Sequence, residues 1–176
     1  MNEVLVRASQ RARLITFIGG LAVASVVTVL DQLSKWWIVA KVMQPPQIIP
    51  VTPFFNLVMG WNRGISFGLF HGDSAFNDWG LPALALVIVA VLLVWLWRSG
   101  GVLVPLAIGL IVGGALGNVI DRLRHGAVAD FLDFHVAGYH WPAFNVADTG
   151  ITVGAVLLIF DSLFGGRETP NNKAAE

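Results

Sequence analysis

Four aspartates, Asp121, Asp130, Asp133 and Asp148, fall between long apolar stretches of this chain. Asp148 directly precedes one such stretch and follows Trp141-Pro142-Ala143-Phe144. Ionisable groups at an apolar boundary are costly to keep there and usually serve a function. Two carboxylates held a few ångströms apart cannot both ionise, so they share a proton. The ionised one deprotonates a water, and the protonated one donates to a carbonyl oxygen. That is amide hydrolysis without metal, thiol or serine. Asn118, Asn145 and Arg122 can orient such a pair. Spacing alone leaves Asp121, Asp130 and Asp133 as rivals for the partner of Asp148. The competing explanation for any one of them is a helix cap or a salt bridge to Arg122 or Arg124.

Other chemistries have weaker support. The chain holds no cysteine, which excludes disulfides, thiolate metal sites and thiol nucleophiles. Gly64-Ile65-Ser66-Phe67-Gly68 matches G-x-S-x-G, but that motif marks a nucleophile only at a strand-to-helix turn of an α/β sheet. No such alternation is present. His125, His135 and His140 lack a metal-binding spacing on one helix face and read as surface or interfacial residues. No metal or other cofactor is expected.

The elements that must position these groups are membrane spans. Of 176 residues, 56% are hydrophobic and 12% charged, and mean hydropathy is +0.72. A soluble domain carries about 25% charged residues. The 11 basic and 11 acidic residues cancel, which argues against a nucleic-acid binder. Uncharged runs cover Leu14 to Leu30, Trp79 to Trp97, Ser99 to Ile120, and Thr149 to Gly166 with Asp161 as the one interruption. A spanning helix needs roughly 20 apolar residues. The first run extends through Trp36 and Trp37, giving spans of about 14–37, 79–97, 99–120 and 149–166. A secretory signal at the N-terminus is disfavoured, because the apolar core is long and no small-residue cleavage site follows. Gly109, Gly113 and Gly117 in the third run, and Gly150 and Gly154 in the fourth, would let these two helices approach closely. That would bring Asn118 near Asp148.

An even number of spans puts both termini on one side. Arg7, Arg11, Arg13, Arg98, Arg167 and Lys173 then share a side, against Lys35, Lys41, Arg63, Arg122 and Arg124. The basic N-terminus and the short Arg98 turn favour cytoplasmic termini. On the opposite side, about 44–78 reads as a strand-rich cradle punctuated by Pro45, Pro46, Pro50 and Pro53, which confine its strands to sheet edges. Gly72-Asp73-Ser74 could cap a short amphipathic helix carrying Phe76 and Trp79, resting on the membrane surface as a lid. A second outside segment runs from Asp121 to Asp148. A polar tail occupies 167–176.

Five motifs in order now carry a resemblance. They are Asp31-Gln32-x-Ser34-Lys35, Asn62-x-Gly64-x-x-Phe67-Gly68, Gly113-Gly114-Ala115-x-Gly117-Asn118-x-x-Asp121-Arg122, Val128-Ala129-Asp130-Phe131 and Phe144-Asn145-x-Ala147-Asp148. From about residue 14 to 165 the chain resembles bacterial lipoprotein signal peptidase, signal peptidase II. The resemblance implies four transmembrane helices with a periplasmic β-cradle and a short periplasmic helix, in the inner membrane. It implies an aspartic endopeptidase that cuts prolipoproteins just before a diacylglyceryl-modified cysteine. It selects Asp130 and Asp148 as the catalytic pair. Asp31, Asn62, Gly64, Asn118, Arg122 and Asn145 would support or bind substrate, and Asp121 would be structural, near Arg122. Ala129 and Thr149 depart from the family's common residues without removing a group the chemistry needs. The expected partners are prolipoproteins and membrane lipid, not nucleic acid, and the expected state is a monomer. The alternative is a non-catalytic membrane scaffold or a cation-coupled transporter.

Overall fold

The computed structural model describes residues 2–64 and 79–164, with side chains from residue 10 onward. Helix α1 (Asn2–Trp37) runs into a π-helical turn over Ile38–Val42, and α2 (Leu81–Arg98), α3 (Leu103–His125) and α4 (Val146–Phe164) follow. All four are long and apolar enough to cross a membrane. Their outward faces keep large apolar side chains exposed, among them Ile15, Val26, Val29, Val87, Val91, Val156 and Phe160, as a lipid solvent permits. Trp36, Trp37, Trp79, Trp95, Trp97 and Trp141 are exposed near the helix ends.

Helix α3 is the central one. Of its span, 56% is buried, against 17–22% for the other three. Its Ile108 and Val112 form a core with Ala24 of α1 and with Val89 and Leu96 of α2. The glycine stripes explain this packing, with one correction to their expected partner. A side chain at Gly109 or Gly113 would collide with the Gly20 and Ala24 carbonyl oxygens of α1, at 2.6 and 2.5 Å. Those two residues therefore seat α1, not α4. The α3–α4 contact uses Gly114, which lies against Ala147 and Ile151. It also uses Gly154, where a Cβ would stand 2.6 Å from the Ala107 oxygen. The ends of α3 and α4 still meet at Asn118 and Asp148, as expected.

The segment expected outside the membrane from Asp121 to Asp148 is shorter than its charges suggested. Asp121 and Arg122 lie in the last turns of α3, and Val146 to Asp148 open α4. Charge does not end α3. Gly126 does, at φ 67°, with its N–H donating to the Arg122 oxygen at 2.9 Å. The sheet also differs from expectation. Strands β1 (Ile49–Thr52) and β2 (Phe55–Asn62) come from the cradle segment, but β3 (Val128–Val136) and β4 (Tyr139–His140) come from the second segment. The order is β1-β2-β3-β4, antiparallel throughout, with Gly60 paired to Asp130 and Asn56 to Asp133. Pro50 sits in β1 at the sheet edge, where a missing N–H does no harm. The expected surface helix over 72–80 lies, up to Asp78, outside the described residues, as does the polar tail.

The glycine contacts make a testable distinction. Gly113→Ala should destabilise the protein by about 1–3 kcal/mol, because the Ala24 backbone and the Val27 Cβ cannot both move aside. Gly19→Ala should leave stability unchanged or raise it by up to about 1 kcal/mol, since nothing lies within 4 Å of its added methyl and alanine favours a helix interior over glycine. Thermal unfolding of the two variants in one detergent compares them directly.

Candidate active site

The acidic residues collect where α1, α3, β3 and α4 meet. Asn145 precedes α4 and caps it, its Oδ1 accepting the Asp148 N–H at 2.9 Å. The cap places Asp148 in the first turn, where the positive end of the helix dipole faces a carboxylate. The same Asn145 donates from Nδ2 to Asp130 Oδ1 at 2.7 Å. One buried amide therefore touches both candidate catalytic residues. Asn118 donates to Asp148 Oδ1 at 2.8 Å, and Asn62 donates to Asp130 Oδ2 at 3.1 Å. Asp130 is buried and Asp148 half-buried.

Burial and the neighbouring charge of Asp148 push the Asp130 carboxyl up to about 7, although Asn62 and Asn145 donate to it. Asp130 therefore holds a proton through the acidic range. An apolar cavity of about 490 Å³, lined by Trp141, Phe144, Ile151 and Thr152, opens onto Asp148.

The Asx-type turn after β2 completes the site. Asn62 Oδ1 accepts the Gly64 N–H at 3.1 Å, and the Gly64 carbonyl accepts from Arg122 Nη2 at 3.0 Å. Arg122 thereby ties the end of β2 to α3. The motif Gly64 to Gly68 reaches beyond Gly64 into residues outside the described ones.

Asp31 and Asp121 belong to a separate layer behind the pair. Asp31 is fully buried on α1 and accepts the Ala147 N–H of α4 at 2.9 Å. Asp121 accepts the Ala129 N–H at the start of β3 at 3.1 Å and the Gln32 amide at 2.9 Å. Lys35, only 4% exposed, stands between them, 2.7 Å from Asp31 and 3.0 Å from Asp121. Lys35 was counted with the positive charges of one membrane side, but it is paired inside the bundle. The signal available was the Asp31–Lys35 spacing of four, which puts both on one helix face. Gln32 was likewise missed as a site residue.

The remaining rival, Asp133, is held apart from the pair. It is three residues from Asp130 on β3, so alternation turns it to the other face of the sheet. There it accepts from Asn56 at 2.9 Å and lies 2.9 Å from His140 Nδ1. Burial raises the Asp133 carboxyl, but these bonds outweigh it and hold the group below its usual range. The His135 and His140 rings stack at 4.8 Å, and His125 lies 5.3 Å from the Trp61 ring.

Known proteins give this geometry a family. The family described as signal peptidase (SPase) II matches residues 23–164. The lipoprotein signal peptidase of Ralstonia nicotianae is 52% identical over 136 residues, 76% of this chain and 78% of that one. The lipoprotein signal peptidase of Azoarcus sp. is 44% identical over 165 residues, 93% of each chain. Among solved structures, a bacterial membrane enzyme determined by the in meso method at 2.3 Å resolution shares 29% identity. It aligns with a TM-score of 0.74 over 89% of this chain and 94% of its own. A match across more than half the chain, at these identities and coverages, leaves one conclusion: the chain belongs to the signal peptidase II family.

Proposed function

We propose that Asp130 and Asp148 are the catalytic dyad of this membrane peptidase. In this reading it cuts prolipoproteins just before a diacylglyceryl-modified cysteine. The observation that carries the assignment is Asn145, whose single carboxamide donates to Asp130 and accepts from the Asp148 backbone. Two acids wired to one amide, one of them protonated up to about 7, have the asymmetry a general acid and a general base require. Asp130 supplies the proton, and Asp148, in the first turn of α4, acts as the base.

In the proposed cycle, Asp148 removes a proton from water as its oxygen attacks the scissile carbonyl. Asp130 gives its proton to the carbonyl oxygen. The tetrahedral species then collapses: the C–N bond breaks, Asp148 passes its proton to the leaving amine, and Asp130 recovers one from the collapsing hydroxyl. Atoms and charges balance without a cofactor. Asn118 and Asn62 keep the carboxylates aimed during both transfers. The cavity beside Asp148 offers apolar walls to the substrate, including Trp141 and Phe144. The helix ends that hold the dyad face the periplasm, and both termini are cytoplasmic. Arg11, Arg13 and Arg98 support that orientation, and the bias grows once Lys35 is tied inside the bundle. The enzyme acts as a monomer embedded in lipid.

Three outcomes test this reading. Asp130→Asn and Asp148→Asn should each fold and insert, yet lose at least about 1,000-fold in cleavage of a lipidated precursor. Asp133→Asn should cleave normally, because its partners are Asn56 and His140. A dyad variant with full activity, or an inert but folded Asp133→Asn, would show that the wrong carboxylates were chosen.

The pH profile follows from Asp130. Its proton is present below about 7 and lost above it, so kcat/KM should fall through an alkaline limb near pH 7. Asn62 holds the Asp130 value down by donating to it, so Asn62→Ala should move that limb to higher pH. A limb that stays put or moves down contradicts the assignment of the proton to Asp130.

Topology is tested by reporter fusions. Fusions after Arg98 and after Gly166 should report cytoplasm, and fusions near Asp73 should report periplasm. The inverse pattern would put the dyad on the wrong face.

A further inference from the structure

We propose that Lys35 is a positioning residue for the hydrolysis, its ammonium deciding which end of the Asn118 carboxamide faces Asp148. The proposal rests on the dyad assignment above. Lys35 Nζ lies 3.0 Å from Asn118 Oδ1, and Asn118 Nδ2 lies 2.8 Å from Asp148 Oδ1. The two ends of a carboxamide are nearly the same size, and their partners decide which way round they sit. An ammonium only donates hydrogen bonds, and an ionised carboxylate only accepts them. With Lys35 on one side and Asp148 on the other, the oxygen must face Lys35 and the N–H must face Asp148. Turned around, the amide would set donor against donor and oxygen against carboxylate.

The orientation is established before substrate arrives. Lys35 is itself clamped by Asp31 at 2.7 Å and Asp121 at 3.0 Å, with almost no exposure. Asn145 Nδ2 also faces Asn118 Oδ1, at 3.3 Å, but this neutral donor is engaged more closely by Asp130 at 2.7 Å. The shorter and charged contact is the one from Lys35. Lys35 hydrogen-bonds Asn118 rather than either member of the dyad, so it acts through the amide.

The test is a double-mutant cycle on the full-length enzyme, measuring cleavage of a lipidated precursor peptide by wild type, Lys35→Met, Asn118→Ala and the double variant. Lys35→Met should lower kcat about 10- to 100-fold, as losing an orienting partner does, with KM within about twofold. In the Asn118→Ala background the same change should cost less than about threefold further, because the donor that Lys35 aims is gone. Losses that multiply in the double variant would mean that Lys35 acts independently of Asn118, and would overturn the proposal. If Lys35→Met does not fold, the cycle is repeated on an Asp121→Asn background, which removes one of the carboxylates left unpaired. The same non-additivity is expected there, and multiplicative losses overturn the proposal equally. Asp148→Asn is assayed alongside. Cleavage by that variant would overturn the dyad itself, whereas multiplicative losses with an inert Asp148→Asn overturn only the role of Lys35.

Discussion

A single ammonium buried at the end of a membrane helix is the constraint around which this structure closes. Lys35 cannot sit among apolar helices unpaired, because an uncompensated charge there is strongly unfavourable. Its two carboxylates come from different places, Asp31 one turn earlier on α1 and Asp121 on α3. Each carboxylate has oxygens to spare and uses them on backbone N–H groups. Asp31 takes the N–H of Ala147 in α4, and Asp121 takes that of Ala129 in β3. Pairing one charge therefore fixes α1, α3, α4 and the first residues of β3 relative to one another. The next residue after Ala129 is Asp130, and the next after Ala147 is Asp148. The layer behind Asp130 and Asp148 locates both of them through their neighbours' backbones.

The proposed dyad, Asp130 and Asp148, is surrounded mainly by neutral amides. Asn62, Asn118 and Asn145 donate to its carboxylates without adding charge. A lysine in direct contact with Asp130 would pull its proton off, since an adjacent cation favours the ionised form. Keeping the ammonium one residue back leaves the Asp130 carboxyl near 7. Arg122 is used in a similar spirit: its guanidinium donates to the Gly64 carbonyl, fixing the end of β2.

Close helix approach makes this layer possible. Lys35 on α1 reaches Asn118 on α3 at 3.0 Å, and Asn118 reaches Asp148 on α4 at 2.8 Å. Glycine at 109, 113 and 117 lets α1 settle onto α3, and at Gly117 the neighbour is the Asp31 carboxylate itself. Glycine at 114, 150 and 154 does the same for α4. In lipid there is little hydrophobic drive between helices, so this shape fit and the polar contacts at its end hold the bundle together.

Four spans, a sheet-forming segment and an acidic cluster at one end of the bundle were legible in the sequence, because hydropathy and charge are local properties of the chain. A bilayer also demands that spans be helical. The small-residue spacing was legible too, but its partner was not: glycines mark a face without naming the helix that covers it. Residue patterning left Asp121, Asp130 and Asp133 equivalent, and only family likeness chose among them. Their separation comes from tertiary structure. Asp121 is on a helix facing Lys35, Asp133 is on the far side of β3, and Asp130 alone faces Asn145. Strand β3 went unseen because its pairing with β2 joins residues far apart in the chain. For the same reason Lys35 was counted with the charges of one membrane side: its partners Asp121 and Asn118 lie on another helix, and whether a charge is solvated or buried depends on what folds over it.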